Sequence, residues 1–190
     1  MKEEILDKRA AALRAALELI SEQGFHATPM SQIAKKANVS VGAIYHYFTG
    51  KDELINALYI NIKTRLAAYT LGNYSDDLPV RKAFKQLLGA LIQYIIQNPS
   101  EFYFAEQYEN SPLITASTRE EIKRIGKPIT DLFQRAMEQD LLKELPFEML
   151  NTLIGSAISG LAKLYLSGAV KLEEDSLAAG LDAIWDMIRR

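Results

Sequence analysis

The chain has 190 residues, 48% of them hydrophobic, a formal net charge of -2 and no cysteine. That length and apolar content support a substantial buried core and exclude a disordered chain, while the missing thiols exclude a disulfide framework, a thiolate nucleophile and a cysteine-ligated zinc or iron-sulfur site. Charge alone does not point to nucleic acid: residues 1–52 hold seven basic against six acidic side chains, a net of +1, and the remainder holds 15 against 18, a net of -3.

Apolar residues recur every three or four positions almost throughout, which predicts helix. Met1 to Asp7 mixes charge with apolar residues and carries no uninterrupted apolar stretch of a secretory signal, so the expected location is cytoplasmic. In the first helix Ile5, Leu6, Arg9, Leu13, Ala16, Leu17 and Ile20 keep helical register, and Gly24 ends it where a left-handed C-cap falls. Phe25 follows as an apolar plug. Thr28-Pro29 predicts the start of a short second helix, hydroxyl at N-cap and proline at N1, with Ile33, Ala34 and Ala37 on its inner face. Asn38-Val39-Ser40 predicts a tight break in which Asn takes a left-handed backbone and Ser40 caps a third helix running from about Val41 to Phe48.

Past Thr49-Gly50, the acids of Lys51-Asp52-Glu53 suit the positive end of a long fourth helix that continues through Leu54, Ile55, Leu58, Ile62, Arg65 and Leu66 to about Tyr69. Residues 71–79 read as loop. Five further helices are expected at about 80–97, 100–108, 117–140, 147–167 and 175–190, separated by Asn98-Pro99, Ser111-Pro112 and Leu145-Pro146. The fold class is thus all-α with about nine helices: an N-terminal three-helix helix-turn-helix domain over residues 1–50 and a larger helical domain over 51–190. The stretch 149–170 is long enough for a bilayer core of roughly 30 Å. Asn151, Thr152, Ser156, Ser159 and Lys163 interrupt it, so a packed interface helix is expected and no membrane.

Two short helices joined by a three-residue break make the geometry that fits a DNA major groove. With Ile44 and Phe48 anchored inward, the 100° step per residue turns Gly42, Ala43, Tyr45 and His46 outward. Gly42 and Ala43 are small enough to bring backbone to base edges, and Val41 or Ala43 can meet a thymine methyl. Tyr45, His46 and Tyr47 carry polar tips at phosphate reach, while Thr28, Ser40 and Lys51 stand at helix N-termini, which attract anions. These nine residues are the expected DNA contacts. The run from Phe25 to Leu54, including Thr28-Pro29, Ile33-Ala34, Asn38-Val39-Ser40-Val41-Gly42, Ile44-Tyr45-His46-Tyr47-Phe48 and Lys51-Asp52-Glu53-Leu54, resembles the TetR family of repressors nearly position for position. It departs from the pattern in having no Lys or Arg in the recognition helix, so operator affinity is expected to depend only shallowly on salt.

The larger domain is rich in aromatics, and three in a row, Phe102-Tyr103-Phe104, cannot all face one core from one helix. The resemblance implies an inducer pocket inside this bundle, bordered by the fourth helix. The candidate ligand residues are Tyr59, Lys63, Tyr94, Phe102, Tyr103, Phe104, Tyr108, Phe133 and Met137, a set that suits flat, apolar or cationic compounds. Gly155, Ser156, Ser159 and Gly160 form a small-residue strip that admits a second helix. The resemblance implies that the last two helices pair across a twofold axis, with Leu153, Ser156, Gly160, Leu161, Leu164, Leu181, Ile184, Trp185 and Ile188 at the interface and two recognition helices about one DNA turn, roughly 34 to 36 Å, apart.

The partners so implied are double-stranded operator DNA, a second copy of the chain as homodimer and a small-molecule inducer that releases a repressor from its operator. A ligand-responsive activator or a helical protein-interaction module are the alternatives. No enzyme is expected: His26 and His46 are the only histidines, and there is no Glu-x-x-His pair, phosphate-cradling glycine loop or nucleophile elbow. No cofactor or metal is expected either.

Overall fold

The computed structural model describes residues 2–72, 74–75 and 77–190, with side chains from residue 8 onward. Ile5 and Leu6, assigned above to the inner face of the first helix, lie outside the described side chains. Among the described residues ten helices follow one another: α1 (Lys2–Gln23), α2 (Met30–Lys36), α3 (Val41–Tyr47), α4 (Lys51–Leu71), α5 (Val80–Gln97), α6 (Pro99–Glu109), α7 (Ala116–Ile125), α8 (Lys127–Glu138), α9 (Phe147–Leu166) and α10 (Glu174–Ile188). The tenth helix corrects the expected 117–140 element, which breaks at Gly126. Pro128 has no N–H to donate and excludes a continuous helix through this point, so α8 starts afresh with Ile129 and Thr130 donating to the Gly126 carbonyl.

The chain divides into two compact units, one of residues Met1–Thr64 and Ser100–Ile122, the other of Arg65–Pro99 and Lys123–Arg190. In the first, α1, α2 and α3 pack on one another. Ala12, Ala15 and Ala16 keep the α1 face flat enough for close approach, and Leu13, Leu19, Ile20, Ile33, Ile44 and Phe48 fill the space between. Gly24 (φ 80) and Asn38 (φ 55) take the left-handed backbone on which the two turns depend. Ser40 caps α3, its hydroxyl accepting from the Ala43 N–H at 3.1 Å. Ser40→Ala therefore leaves that N–H unsatisfied and is expected to cost about 1 kcal/mol. Faster amide exchange at Ala43, with α5 to α10 unchanged, is the measurement that checks it.

The start of α2 corrects the expectation by one residue. Pro29, not Thr28, is the N-cap, because its carbonyl accepts from Gln32 and Ile33. Thr28 is 0% exposed, donates its hydroxyl to the Gly24 carbonyl at 2.8 Å and accepts from Gln23 Nε2 at 3.2 Å. α4 is opened by Glu53, whose Oε2 accepts both the Thr49 N–H and hydroxyl at 2.6 Å. Those two bonds, the hydroxyl first, hold its carboxyl below the usual carboxylate range. Asn56, buried on α4, donates to the Leu113 carbonyl at 2.9 Å and accepts from Thr115 N–H at 3.0 Å, stapling the α6–α7 connection to α4.

In the second unit α5 packs against α8, α9 and α10. Phe84 meets Phe133 and Trp185 edge-on at 5.0 and 5.7 Å, and Phe133 meets Phe147 at 5.3 Å, so the core is an aromatic herringbone. Asp182 of α10 ties to Arg81 and Lys85 of α5 at 2.9 Å each. Gly180 lets α10 approach α9: a Cβ there would lie 3.1 Å from Leu161 Cδ1. Among the described helices α9 is long and apolar enough, by length and composition, to cross a membrane, at a mean hydropathy of 1.2.

Candidate nucleic-acid interface and ligand residues

α3 is short, and its burial pattern follows from two anchors. Ile44 and Phe48 are 0% and 1% exposed, and their spacing fixes the helix rotation. Val41 and Tyr45 then stand out at 43% and 51% exposure, with Gly42 and His46 also exposed and Ala43 half-buried between them. Tyr47 is half-buried and packs on the core, its ring between His46 and Phe48 at centroid distances of 5.7 and 6.4 Å. Ser40 is exposed at the helix start. Ser40, Val41, Gly42, Tyr45 and His46, with half-buried Ala43 between them, thus form one outward strip of small, apolar and hydrogen-bonding groups supported by buried Ile44 and Phe48.

Thr28 does not belong to that strip. With no exposed surface and its hydroxyl spent on Gly24 and Gln23, it cannot reach a phosphate, and it serves the turn before α2 instead. Lys51 is half-buried, donates to the Phe25 carbonyl, and lies 4.1 Å above the Phe25 ring. Burial pushes its ammonium below the usual lysine range, Asp52 opposing the shift. Its place in this structure is to clamp the α1–α2 turn to the start of α4. Lys36 is likewise engaged by Glu18 at 2.9 Å and Glu22 at 3.8 Å, and the hydrogen bond to Glu18 raises its pKa. Lys36 and Lys51 are therefore both engaged within the chain.

The nine ligand candidates do not fall in one compact unit. Tyr59, Lys63, Phe102, Tyr103, Phe104 and Tyr108 belong to the first, and Tyr94, Phe133 and Met137 to the second. Within the first, Tyr59, Phe104 and Tyr108 join the buried cluster, and the rings of Phe104 and Tyr108 stack at 4.6 Å. Burial, with Glu109 adding to it, pushes the Tyr59 phenol up to about 12. Lys63 is half-buried with its ammonium 5.3 Å above the Tyr59 ring, and burial lowers its pKa while Glu109 opposes. Of the three consecutive aromatics, Phe104 points inward, Phe102 is half-buried and Tyr103 is exposed. Tyr103 and Met137 face solvent, which corrects their assignment to an enclosed pocket. Phe133 is a core residue locked by Phe84 and Phe147, and Tyr94 packs on Tyr69 at 5.4 Å.

The expected interface set divides sharply. Leu153, Ser156, Gly160 and Leu164 of α9 are exposed, in line with Met149, and Leu161 is half-buried. On α10, Leu181, Ile184, Trp185 and Ile188 are all buried within their own chain, Trp185 against Phe84. The α10 stripe is absorbed by α5 and α9, so those four cannot form an intermolecular surface. No sequence signal marks Asn56, whose role depends on a carbonyl 57 residues away, while Glu53 stands at the start of α4 as its sequence position suggested, its carboxylate bonded back to Thr49.

Two family profiles match the chain: one described as bacterial regulatory proteins, tetR family, over residues 12–58, and one described as a tetracyclin repressor-like C-terminal domain over residues 79–189. An uncharacterized HTH-type transcriptional regulator of Haemophilus influenzae is 26% identical over 79% of this chain and 79% of its own length. The HTH-type transcriptional regulator HbdR of an Aromatoleum strain is 41% identical over 38% of this chain and 28% of its own length. The solved structure of a TetR family transcription regulator from Marinobacter aquaeolei superposes with a TM-score of 0.93 at 22% identity, covering 100% of this chain and 99% of the other. These are transcription regulators and not enzymes. The chain belongs to the TetR family, and its N-terminal helix-turn-helix marks it as a DNA-binding transcriptional regulator.

Proposed function

We propose that the protein is a cytoplasmic, homodimeric repressor that leaves its operator when a small-molecule inducer binds. Residues 1–50 form the DNA-reading head, and residues 51–190 carry ligand binding and dimerisation. The observation that carries the reading is the outward strip on α3, where Val41, Gly42 and Tyr45 are exposed above a fully buried Ile44 and Phe48. Ser40, Val41, Gly42, Ala43, Tyr45, His46 and Tyr47 make the DNA contacts, the base-reading ones between Val41 and Tyr45. Dimerisation uses the exposed α9 face, which accounts for an apolar helix with only 22% of its most hydropathic window buried in the single chain.

The inducer binds beside α4 among Tyr59, Phe102, Phe104 and Tyr108. Lys63, a half-buried cation at that position, favours a neutral or anionic flat compound over a cationic one. Release follows when the inducer prefers a conformation whose two heads are wrongly spaced for DNA, because only differential affinity shifts an equilibrium.

The test is a fluorescence-anisotropy titration of a duplex taken from upstream of the gene. Saturable binding by two chains per site is expected. With no Lys or Arg in α3 and with Lys36 and Lys51 engaged within the chain, affinity should fall less than about 10²-fold between 50 and 200 mM salt, against the 10³ to 10⁵ produced by six to ten phosphate contacts. A steeper fall contradicts the sparse ionic contact. Absence of binding at low salt favours a protein-interaction module.

A further inference from the structure

A cleft of about 480 Å³ opens within the first compact unit, apart from the aromatic cluster and from the outward face of α3. Arg9 of α1, Glu53 and Asn61 of α4, and Thr115, Ser117 and Thr118 at the start of α7 give it polar walls. The wall is fixed in place. Asn56 staples Thr115 to α4, and the Thr115 hydroxyl joins those of Ser117 and Thr118 at 3.0 Å each.

Two groups on this wall are unspent. Among the described residues the Arg9 guanidinium has the Phe48 ring at 5.3 Å and the field of Glu53 but makes no hydrogen bond, and the Asn61 carboxamide likewise makes none. A guanidinium presents a planar fork of donors that matches a carboxylate. A carboxamide and three hydroxyls present donors and acceptors that match alcohol groups. Glu53 stands in the same wall, its Oε2 taken by Thr49, and its charge works against any anion, twice over against one carrying two negative charges, so a single carboxylate held directly on Arg9 is the anion the wall tolerates best.

We propose that this cleft binds a small hydroxylated monocarboxylate, with the carboxylate on Arg9 and the hydroxyls on Asn61 and the α7 hydroxyl row. The site is separate from the aromatic inducer site and gives the head a second input. Arg9 also covers Phe48, the C-cap of α3, so a ligand that draws the guanidinium away alters how the end of the recognition helix is held.

Calorimetric titration of the full-length protein at low ionic strength tests the proposal with three probes: D-gluconate, sorbitol as its uncharged counterpart, and acetate as the charge without hydroxyls. Gluconate is expected to bind saturably at one per chain, sorbitol not at all, and acetate roughly tenfold more weakly. Arg9→Gln should weaken gluconate by about tenfold or more, the scale of a lost charge-assisted bond. Asn61→Ala, at a half-buried position whose side chain makes no hydrogen bond among the described residues, should weaken it roughly threefold with an unchanged thermal midpoint and decides the matter if Arg9→Gln misfolds. Absence of saturable gluconate binding, equal binding of sorbitol, or wild-type affinity in the folded variants overturns the proposal. None of these outcomes touches operator binding, so the regulatory reading stands or falls separately.

Discussion

Phe48→Ala is expected to lower the thermal unfolding midpoint by about 10 °C and to abolish operator binding, whereas Tyr45→Ala should leave the midpoint unchanged and weaken operator binding by about 10- to 100-fold. The two aromatics sit three residues apart and differ in burial: Phe48 is 1% exposed and Tyr45 51%. Truncating a buried phenylalanine costs roughly 3 to 5 kcal/mol, because the lost transfer energy adds to that of the cavity left behind. Here the cavity opens beneath the C-cap of α3, where the Phe48 N–H donates to Ile44, and beside the Arg9 guanidinium that rests on the ring. Tyr45 supports no such structure, so its loss removes only contacts to DNA, worth about 1 to 3 kcal/mol for a well-placed base or phosphate partner. Calorimetry of both variants beside anisotropy titrations separates the two effects. An unchanged midpoint in Phe48→Ala means that α3 is not held by this core. An unchanged affinity in Tyr45→Ala removes Tyr45 from the DNA contacts.

What could be read from the sequence was what local chemistry decides. Gly24, Asn38 and Ser40 each act through their own backbone or a neighbour three residues on, and the left-handed turns and the α3 cap occur where those residues stand. The one-residue error at Thr28-Pro29 has the same local scale: two cap-competent readings differ only in which carbonyl the helix uses, and burial of Thr28 decides between them. The missed break at Gly126 was legible in principle, since a proline two residues on removes a donor.

Partner identity was not legible. The stripe of Leu181, Ile184, Trp185 and Ile188 announces that α10 buries one face, but periodicity says nothing about whether α5 or a second chain covers it. The division of the aromatics between two units was hidden for the same reason. Phe133 and Phe104 look alike in sequence, yet one is wedged between Phe84 and Phe147 and the other stacks on Tyr108 in a different compact unit. Charge was misleading in a related way: Lys36 and Lys51 raise the basic count of the head, but one answers Glu18 and the other the Phe25 carbonyl and ring. Neither stands on α3, whose outward strip carries no Lys or Arg, which is why a shallow salt dependence is the expected behaviour.

The exposed α9 face yields the sharpest test of self-association. Gly160 is exposed, and a Cβ built on it, or on Gly155, meets nothing within 4 Å. Nothing inside the single chain therefore requires glycine at either position, although each weakens the helix by roughly 0.5 to 1 kcal/mol relative to alanine. Along the same face stand Met149 and Leu164, 49% and 44% exposed, with Leu153 and Ser156 between them. A strip whose small residues are useless to its own chain, flanked by leucines left in water, has the composition of a surface that another helix approaches closely. Gly160→Glu should then leave the subunit folded, or slightly more stable, while placing a carboxylate from each chain in a desolvated, symmetric contact where an unpaired charge costs several kcal/mol. The expected result is a monomer with wild-type helicity whose operator affinity falls about 10² to 10⁴-fold, the loss that follows when two linked half-site contacts become one. Sedimentation velocity, far-ultraviolet circular dichroism and anisotropy read the three quantities independently. A dimer with unchanged operator affinity would remove this face of α9 from the interface, and an unfolded chain would show that the space around Gly160 is not open in solution.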